Sequence, residues 1–325
     1  MSTYRQSTGK NTEKVSVSRG SYGILGTDTP KARTTTPTPD VIAMNDTLNQ
    51  LIDAALAEDM PHGDVTTDAL FNHQRSRAYA MAKADGVVAG LDVFARVFAR
   101  VDATVQVRPC VNNGDVVSRG TTLCILEGPT ASLLKAERTA LNILQRMAGI
   151  ATETRRYVEA IKHTPCQILD TRKTAPGLRA LDKRAVREGG GTNHRQSLSD
   201  MVMIKDNHIS ATGGIQQAVA KARTHVESRL KIEVEVTTIE AFDEAQQTDV
   251  DWIMLDNMDN PTMRLCVERN HAKKVLEASG NMSLDRVASV AETGVDYISV
   301  GALTHSVQAF DISLRFDDEV GENHE

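Results

Sequence analysis

The sequence predicts an α/β protein in which a small mixed domain precedes a larger domain of alternating strands and helices. From residue 165 onward, short apolar runs alternate with segments of helical periodicity, which is typical of parallel strands joined by helical crossovers. Before residue 149, two strand-like runs precede a long helical segment. A chain of 325 residues is long enough for both parts. The pattern alone leaves open whether the parallel sheet is doubly wound or closed as a barrel.

Residues 1–40 differ in composition from the rest of the chain. They contain fourteen Ser or Thr residues and lack the periodic apolar residues that a core requires. Their net charge is +3, which leaves −9 on the remainder of a chain whose net charge is −6. We expect residues 1–45 to form a flexible extension. They make a poor targeting signal, because they have no continuous apolar run and contain acidic residues.

The first domain is predicted to span residues 46–148. Apolar residues that recur every three or four positions indicate its helices, and alternating apolar residues indicate its strands. The predicted elements are a helix from about residue 47, strands at 77–83 and 105–108, a helix over 92–99, and a helix from 132 to about 146 that ends at Gly149.

The second domain is predicted to span residues 149–306, and residues 307–325 are predicted to return to the first domain. No GxGxxG or GxxxxGK(S/T) motif occurs, so the commonest signatures of a doubly wound nucleotide-binding sheet are absent. The strands of this domain are predicted at residues 167–170, 201–204, 230–236, 252–255, 274–277 and 296–300.

Composition excludes several classes of protein. No run approaches about 18 uncharged apolar residues, so we expect no membrane span. The net charge of −6 argues against nucleic-acid binding, which depends on neutralising phosphates. The four cysteines form no CxxC pair, which argues against a structural zinc site or a disulfide framework and favours a reducing, cytoplasmic location.

Charged residues or glycine follow every predicted strand of the second domain. In α/β barrels the active site lies at the carboxyl ends of the strands, so side chains from different strands converge there. We therefore expect a site built from Asp170-Thr171-Arg172-Lys173-Thr174, Lys205-Asp206-Asn207-His208, Glu233 with Glu235, Asp256-Asn257, Ser279-Gly280-Asn281, and Gly301.

Two glutamates lie within the third of these strands. In Ile232-Glu233-Val234-Glu235-Val236, alternation places both carboxylates on one face and three aliphatic side chains on the other, which must meet the helices. Both carboxylates should then point into the barrel, where a cation has to balance them. A salt bridge with barrel lysines is the structural alternative. Glu235 together with Asp256 suits Mg²⁺, which uses one or two carboxylates and completes its shell with water and substrate phosphate.

Two glycine-containing loops are candidate phosphate sites. Ser279-Gly280-Asn281 and Val300-Gly301-Ala302 each follow a strand and precede a helix, so their backbone N–H groups can point at an anion. His305 lies in the helix after the second loop. The last two strand–helix loops of a barrel often bind a phosphate, and we expect this pair to do so.

Cationic side chains gather in the first part of the second domain. The loop Gly189-Gly190-Gly191-Thr192-Asn193-His194-Arg195 is too rich in glycine for a helix and presents an arginine, whose planar fork suits a carboxylate or phosphate. The predicted cationic group is Arg172, Lys173, His194, Arg195 and Lys205.

From about residue 48 to residue 316, the sequence resembles the quinolinate phosphoribosyltransferases, also called carboxylating nicotinate-nucleotide pyrophosphorylases. An ordered series of motifs carries this resemblance. They are Glu58-Asp59, Gly63-Asp64-Val65-Thr66, Glu137-Arg138-Thr139-Ala140-Leu141-Asn142, residues 170–179, 189–195, Leu198-Ser199-Asp200, residues 204–209 and 233–236, Leu255-Asp256-Asn257, and Ser299-Val300-Gly301-Ala302.

The resemblance implies a fold, a reaction and a partner. The fold is an N-terminal α/β sandwich beside an incomplete α/β barrel, as in type II phosphoribosyltransferases. The reaction joins quinolinate to phosphoribosyl pyrophosphate with Mg²⁺ and yields nicotinate mononucleotide, pyrophosphate and CO₂ in NAD biosynthesis. The partner is a second copy of the chain in a homodimer, whose Arg138 reaches into the site.

Specific roles also follow from the resemblance. The quinolinate carboxylates would be held by Arg172, His194, Arg195 and Lys205, and Lys173, Glu235 and Asp256 would be catalytic. The substrate-binding set further includes Arg138, Thr171, Ser279, Gly280, Asn281, Val300, Gly301, Ala302 and His305. Glu235 and Asp256 would bind Mg²⁺, largely through water and substrate.

Three other interpretations remain at this point. A molybdenum-utilisation paralogue of the same fold is expected to lack the Lys205-Asp206-Asn207-His208 pattern that is present here. A non-catalytic protein that binds pyridine nucleotides would not need Lys173, Glu235 and Asp256 together. A metallohydrolase barrel is disfavoured because the sequence has no HxH or HExxH pair.

Overall fold

The structure, a computed structural model, describes residues 39–227 and 229–317, with side chains from residue 46 onward. Residues 1–38 of the expected flexible extension and residues 318–325 lie outside the described residues. From Asn45 onward, the described elements belong to one compact unit. No helix among the described residues is both long enough and apolar enough to cross a membrane.

Helices and strands alternate along the described chain. The first part contains α1 (Pro39–Asp59), α2 (Val65–Leu70), β1 (Arg75–Ala82), β2 (Gly86–Val87), α3 (Leu91–Val101), β3 (Gln106–Pro109), β4 (Val116–Val117), β5 (Thr122–Pro129) and α4 (Thr130–Ile161). The second part contains β6 (Gln167–Leu169), α5 (Arg179–Glu188), β7 (Val202–Ile204), α6 (Asp206–Thr212), α7 (Ile215–His225), β8 (Ile232–Val236), α8 (Ile239–Gln246), β9 (Trp252–Asp256), α9 (Asn260–Arg269), β10 (Val275–Ser279), α10 (Leu284–Ala291), β11 (Tyr297–Ser299), α11 (Ala302–His305) and β12 (Ile312–Phe316).

The first sheet is antiparallel and has the strand order β12-β1-β5-β3. Its buried face is lined by small residues of β1, among them Ala78 and Ala80. These small side chains share one apolar core with Phe94 and Phe98 of α3 and with Leu141 of α4. Strand β12 pairs with β1, so the last strand of the chain completes the sheet built by the first part.

The second sheet is parallel throughout and has the order β6-β11-β10-β9-β8-β7. Strands β6 and β7 follow each other in the chain but lie at opposite edges, and among the described residues they do not pair. The sheet is therefore an incomplete barrel, and its helices and outer strand faces share a second apolar core. The predicted fold class, an α/β sandwich beside an incomplete α/β barrel, is confirmed.

The prediction that Gly149 ends a helix is wrong. Helix α4 continues through it to Ile161. A Cβ at Gly149 would lie 2.1 Å from the Gln308 carbonyl oxygen and 3.2 Å from the Phe310 nitrogen. The glycine is needed because the segment that leads to β12 crosses the helix at that point, and only a residue without a side chain leaves room for the passing backbone.

Strand ends at the carboxyl rim differ slightly from the predicted ones. Strand β10 runs two residues beyond the predicted end at Glu277, to Ser279, which lies in register with Asp256 at the end of β9. Ser279 and Asp256 are therefore neighbours on adjacent strands. This register joins the expected metal-binding carboxylate to the expected phosphate loop.

Candidate active site

A cavity of about 400 Å³ lies at the carboxyl ends of the parallel strands. A second cavity of about 520 Å³ adjoins it and shares several of its lining residues. The first is lined by Asp170, Thr171, Arg172, Lys173, His194, Arg195, Met203, Lys205, Glu235, Met254, Asp256, Glu277, Ser279 and Ser299. The second is lined by Thr171, Lys173, Asp256, Asn257, Ser279, Gly280, Asn281, Met282, Ser299, Gly301, Ala302 and His305.

Several cationic side chains line the first cavity. Arg172, Arg195 and Lys205 all line it. The Nε atom of Arg172 is buried and has no hydrogen-bond partner among the described residues. Burial and the neighbouring Arg172 lower the pKa of Arg195, because two guanidinium groups destabilise each other in a partly dry site. An anion bound between them would remove that repulsion and give Arg172 its missing acceptor.

The glycine-rich loop is held to the end of β6 by a buried ion pair. Asp170 and Lys183 are both almost fully buried and contact each other through a carboxylate oxygen and Nζ. Asp170 Oδ1 accepts the His194 N–H at 2.9 Å, and Lys183 Nζ donates to the His194 carbonyl oxygen at 3.0 Å. The loop backbone is thus fixed on both sides of the residue that precedes Arg195.

The two predicted metal-binding carboxylates line the first cavity together. Glu235 forms an ion pair with Lys205, and Asp256 Oδ2 accepts a hydrogen bond from Asn257 Nδ2 at 2.7 Å. Both are oxygen donors, and Asp256 also lines the glycine-rich second cavity, where a phosphate would bind. Two carboxylates beside a phosphate pocket form a donor set that Mg²⁺ uses, so the residues present fit this ion.

Glu233 points into the barrel, as the alternation in β8 predicts. It is fully buried, but its partner is a histidine and not the lysine of the structural alternative. His194 Nε2 lies 3.1 Å from Glu233 Oε2 and 3.1 Å from Glu277 Oε2. The oxygens Glu233 Oε1 and Glu277 Oε2 have no hydrogen-bond partner among the described residues. Burial and the nearby Glu277 raise the pKa of Glu233 to about 7.

The hydrogen bonds of His194 define where its proton lies. Its Nδ1 accepts the Arg195 N–H at 2.7 Å, so the ring proton is on Nε2 and is directed at Glu233. Burial opposes a further proton on the ring, but the contacts with the Glu233 and Glu277 carboxylates outweigh burial and raise the pKa of His194 above its ordinary value.

The loop at Gly280 passes close to Asn257 and shapes the second cavity. Gly280 has φ 91°, and a Cβ there would lie 2.2 Å from Asn257 Oδ1, so any side chain would collide. Arg286 donates to the Gly280 carbonyl oxygen at 3.1 Å and thereby holds the loop. On the opposite side, the Thr304 hydroxyl donates to the Lys173 carbonyl oxygen at 3.0 Å, which joins α11 to the loop that carries the predicted catalytic lysine.

Two residues of the substrate-binding set implied by the resemblance, Val300 and Arg138, do not line either cavity. Val300 is buried, and its N–H donates to the Leu169 carbonyl oxygen at 2.9 Å, so it is not directed at a ligand. Arg138 is exposed on α4, outside the cavity formed by this single chain. Every other predicted substrate-binding or catalytic residue lines at least one of the two cavities.

Several residues of the site escaped the sequence interpretation. Glu277 and Ser299 line the first cavity, and Ser299 Oγ donates to Glu277. The alternation of Glu277 with Ser279 in β10 is the signal that identifies it, as for Glu233 and Glu235 in β8. Lys183 offered no such signal, because it lies in a helix whose other basic residues are partly exposed.

Comparison with known proteins identifies the family. A model of the quinolinate phosphoribosyl transferase N-terminal domain matches residues 64–148, and a model of the C-terminal domain matches residues 150–315. The chain belongs to the quinolinate phosphoribosyltransferase family. A Bacillus subtilis relative named "Probable nicotinate-nucleotide pyrophosphorylase (carboxylating)" is 43% identical over 267 residues, which cover 82% of this chain and 92% of the relative.

Other members of the family agree in sequence and in structure. A Nicotiana glauca quinolinate phosphoribosyltransferase (decarboxylating) is 44% identical over 293 residues, covering 84% of this chain and 83% of the relative. The solved structure of NadC from Streptococcus pyogenes has a TM-score of 0.80 and 40% identity, and it covers 88% of this chain and 100% of the other. The nicotinate-nucleotide pyrophosphorylase from Francisella tularensis has a TM-score of 0.81 and 37% identity, covering 84% and 97%.

Proposed function

We propose that this chain transfers the phosphoribosyl group of phosphoribosyl pyrophosphate to quinolinate and decarboxylates the product to nicotinate mononucleotide. The observation that carries the proposal is the pair of adjoining cavities, one lined by Arg172, Arg195 and Lys205 and the other by glycine loops, with Asp256 lining both. The relatives named above bear the name of this activity, which favours it over the molybdenum-utilisation paralogue and over a non-catalytic binding protein.

Quinolinate would bind in the first cavity. Its two carboxylates would meet Arg172, Arg195 and Lys205, and Arg172 would gain an acceptor for its buried Nε. Lys205 is paired with Glu235 in the structure, so a substrate carboxylate would compete for the Lys205 ammonium. The site would thereby orient the pyridine nitrogen toward the ribose carbon that it attacks.

Phosphoribosyl pyrophosphate would bind across the second cavity. Its 5′-phosphate would lie against the loops of Gly280 and Gly301, with His305 beside it. Lys173 lines both cavities, so its ammonium can meet the pyrophosphate as the bond to the ribose breaks. Glu235 and Asp256 would hold Mg²⁺, which supplies charge stabilisation for the pyrophosphate when bound.

Decarboxylation follows from the first step without a protein nucleophile. Once the pyridine nitrogen is bonded to ribose, the ring is a pyridinium, and the electrons of the breaking carbon–carboxylate bond pass into it. A proton then replaces CO₂ on that carbon. The contribution of the chain is to hold the second carboxylate through Arg172 and Arg195, while solvent supplies the proton.

The assembly and the location are also part of the proposal. We propose a homodimer in which Arg138 of one copy completes the cavity of the other, since Arg138 is exposed and its own chain does not place it at the site. We propose the cytoplasm as the location, because the four cysteines are free thiols, three of them buried and apart from one another.

The test is a direct assay. The purified protein is incubated with quinolinate, phosphoribosyl pyrophosphate and Mg²⁺, and nicotinate mononucleotide and CO₂ are measured. Nicotinate is the matched control substrate, because it lacks only the second carboxylate. We expect product from quinolinate and at least about a hundredfold less from nicotinate. Nicotinate has only one carboxylate, so it would leave part of a cationic group built for two carboxylates without a partner. A folded protein that forms no product from quinolinate would disprove the proposal.

A further inference from the structure

His194 is held on every side by the protein itself. Its side chain is 5% exposed, Nδ1 accepts the Arg195 N–H, and Nε2 donates to Glu233. The ring also packs edge-on against Trp252, with 6.1 Å between ring centroids. Both ring nitrogens are therefore engaged inside the chain. A substrate carboxylate could bind His194 only by displacing one of these partners.

The groups that hold this ring come from three strands of the barrel. Glu233 belongs to β8 and Glu277 to β10, and both are fully buried. Ser299 of β11 donates to Glu277 and fixes its carboxylate beside the ring. Two buried carboxylates within reach of one imidazole cost stability, so a fold that retains them needs a compensating role for the arrangement.

Arg195 is bonded to this ring at its backbone and to the end of the loop at its guanidinium. Its guanidinium donates to the Met201 carbonyl oxygen at 3.1 Å and lies 3.5 Å from the Met203 sulfur, a weak acceptor. Its backbone N–H is bonded to His194 Nδ1 at 2.7 Å. The imidazole thus holds the Arg195 backbone directly, in addition to the bonds that Asp170 and Lys183 make to the His194 backbone, and it helps to set where the Arg195 side chain begins.

We propose that Glu233, Glu277 and Ser299 are positioning residues that act through His194 on Arg195. They fix the imidazole, the imidazole fixes the Arg195 backbone, and Arg195 then meets a substrate carboxylate in a set direction. The inference rests on the proposed function, because it assigns a task to the quinolinate side of the cavity. His194 serves in it as the connecting group and not as a substrate ligand.

The same three side chains suggest one competing arrangement. The ligand atoms of His194, Glu233 and Glu277 lie within 4.8 Å of one another, and an imidazole with two carboxylates is a donor set that zinc accepts. In that arrangement the carboxylates would serve a metal ion and not the orientation of Arg195. Zinc bound to the purified protein would distinguish this arrangement from the positioning role.

The test compares variants of Glu277 with the wild-type dimer. Glu277→Ala removes one of the two carboxylates that contact the ring at Nε2, and we expect the quinolinate KM to rise at least about tenfold while the KM for phosphoribosyl pyrophosphate changes less than about twofold. Glu277→Gln keeps an oxygen for His194 and a partner for Ser299, so its quinolinate KM should stay within about threefold of wild type. Glu268→Ala, on the exposed face of α9, is the control and should equal wild type.

A double variant tests whether Glu277 acts through Arg195. If it does, adding Glu277→Ala to Arg195→Ala should change the quinolinate KM by less than about threefold, because the group being positioned is already gone. Ser299→Ala should reproduce the effect of Glu277→Ala more weakly. It keeps the test available if Glu277→Ala does not fold.

Four results would overturn the inference. The first two are an equal increase of both KM values in Glu277→Ala and an effect of Glu277→Gln as large as that of Glu277→Ala. The third is full additivity of Glu277→Ala with Arg195→Ala. The fourth is about one equivalent of zinc in the purified wild-type protein that is lost in Glu277→Ala. Failure of the proposed function is a separate result, because in that case calorimetry would detect no quinolinate binding by the wild-type protein. Quinolinate binding that is equal in wild type and Glu277→Ala is a fifth result against the positioning role, and it leaves the proposed function intact.

Discussion

Single side chains explain how an acidic chain can attract a small dianion. The chain has a net charge of −6, yet Arg172, Arg195 and Lys205 line one wall of a single cavity. The field in a cleft depends on the charges that face it and on the low dielectric around them, and not on the total for the molecule. The sequence argument against nucleic acid therefore concerns extended polyanions and leaves small anions open.

Removing one guanidinium tests the cationic wall. We predict that Arg195→Ala raises the quinolinate KM by about 10²-fold, because a charge-assisted, two-point contact contributes about 2–3 kcal/mol. The KM for phosphoribosyl pyrophosphate should change little. Arg264→Ala, exposed on α9, is the matched control in steady-state kinetics. Similar increases for both substrates would place Arg195 outside the quinolinate pocket.

The residues of the site differ in how far the sequence predicts them. Alternation in β8 predicts that Glu233 and Glu235 both face inward, and they do. Alternation cannot say that Glu233 meets a histidine, because that contact depends on how the loop that ends in His194 folds over the barrel. For the same reason the sequence does not reveal that Glu277 approaches the same ring.

The starts of strands β8 and β9 are held by side-chain hydrogen bonds as well as by the backbone hydrogen bonds of the sheet. Asp251 precedes β9 and accepts hydrogen bonds from the Ile232 N–H at 2.9 Å, from Arg223 at 3.0 Å and from Lys231 at 3.1 Å. Burial opposes its ionisation, but these three donors outweigh burial and lower the pKa of Asp251 below 3.8. The carboxylate therefore ties the starts of β8 and β9 together in its charged form.

Protonation of Asp251 at low pH should weaken this link between β8 and β9. A carboxyl whose pKa is lower in the folded than in the unfolded state stabilises the fold fully above its unfolded pKa, and the contribution is lost as the pH falls through the folded pKa. We predict that Asp251→Asn lowers the free energy of unfolding by about 1–2 kcal/mol at pH 7. The difference from wild type should shrink below pH 3.8, the ordinary value for this group, in urea denaturation. A constant difference across that range would contradict the assignment.

For helix α4, the sequence pattern predicts the wrong end. A glycine near the end of an apolar pattern usually indicates a helix end, but Gly149 lies inside a helix of 32 residues. The reason is the backbone at Gln308, which follows it by more than 150 positions and passes directly over it. A contact between residues so far apart in sequence leaves no local signal.

Adding a methyl group at Gly149 should show how closely the segment at Gln308 crosses α4. Gly149→Ala would gain up to about 1 kcal/mol of helix propensity, but its Cβ would collide with a backbone carbonyl that has no rotamer to change. We predict a net loss of about 1–3 kcal/mol in the free energy of unfolding, and a larger loss for Gly149→Ser. Thermal and urea denaturation measure both. An increase in stability would mean that the crossing segment can move away.

At the scale of the molecule, the sequence predicts the class of fold but not its closure. Alternating runs after residue 165 indicate a parallel sheet, and the resemblance adds that the barrel is incomplete. The sheet order, which places β6 and β7 at opposite edges, depends on contacts between strands that no single segment encodes. The return of β12 to the first sheet is likewise visible only in three dimensions.

The proposed dimer gives a quantitative prediction. If Arg138 serves the site of the other copy, Arg138→Ala and Lys173→Ala each abolish activity in every homodimer. After subunit exchange in an equal mixture, half of the dimers are mixed and each contains one intact site, so activity should recover to about one quarter of wild type. Mixing Lys173→Ala with Asp256→Ala is the control and should stay inactive, because both residues belong to the same chain's site. No recovery despite exchange, shown by mass spectrometry, would contradict a shared site.

The continuity of α4 also limits how the enzyme can move. At about 1.5 Å per residue, its 32 residues form a rod of about 48 Å that belongs to both apolar cores at once. A hinge between the two halves would have to bend this rod at the point where Gly149 is locked under the crossing segment. Substrates must therefore enter at the carboxyl rim without any bending of α4 between the two apolar cores.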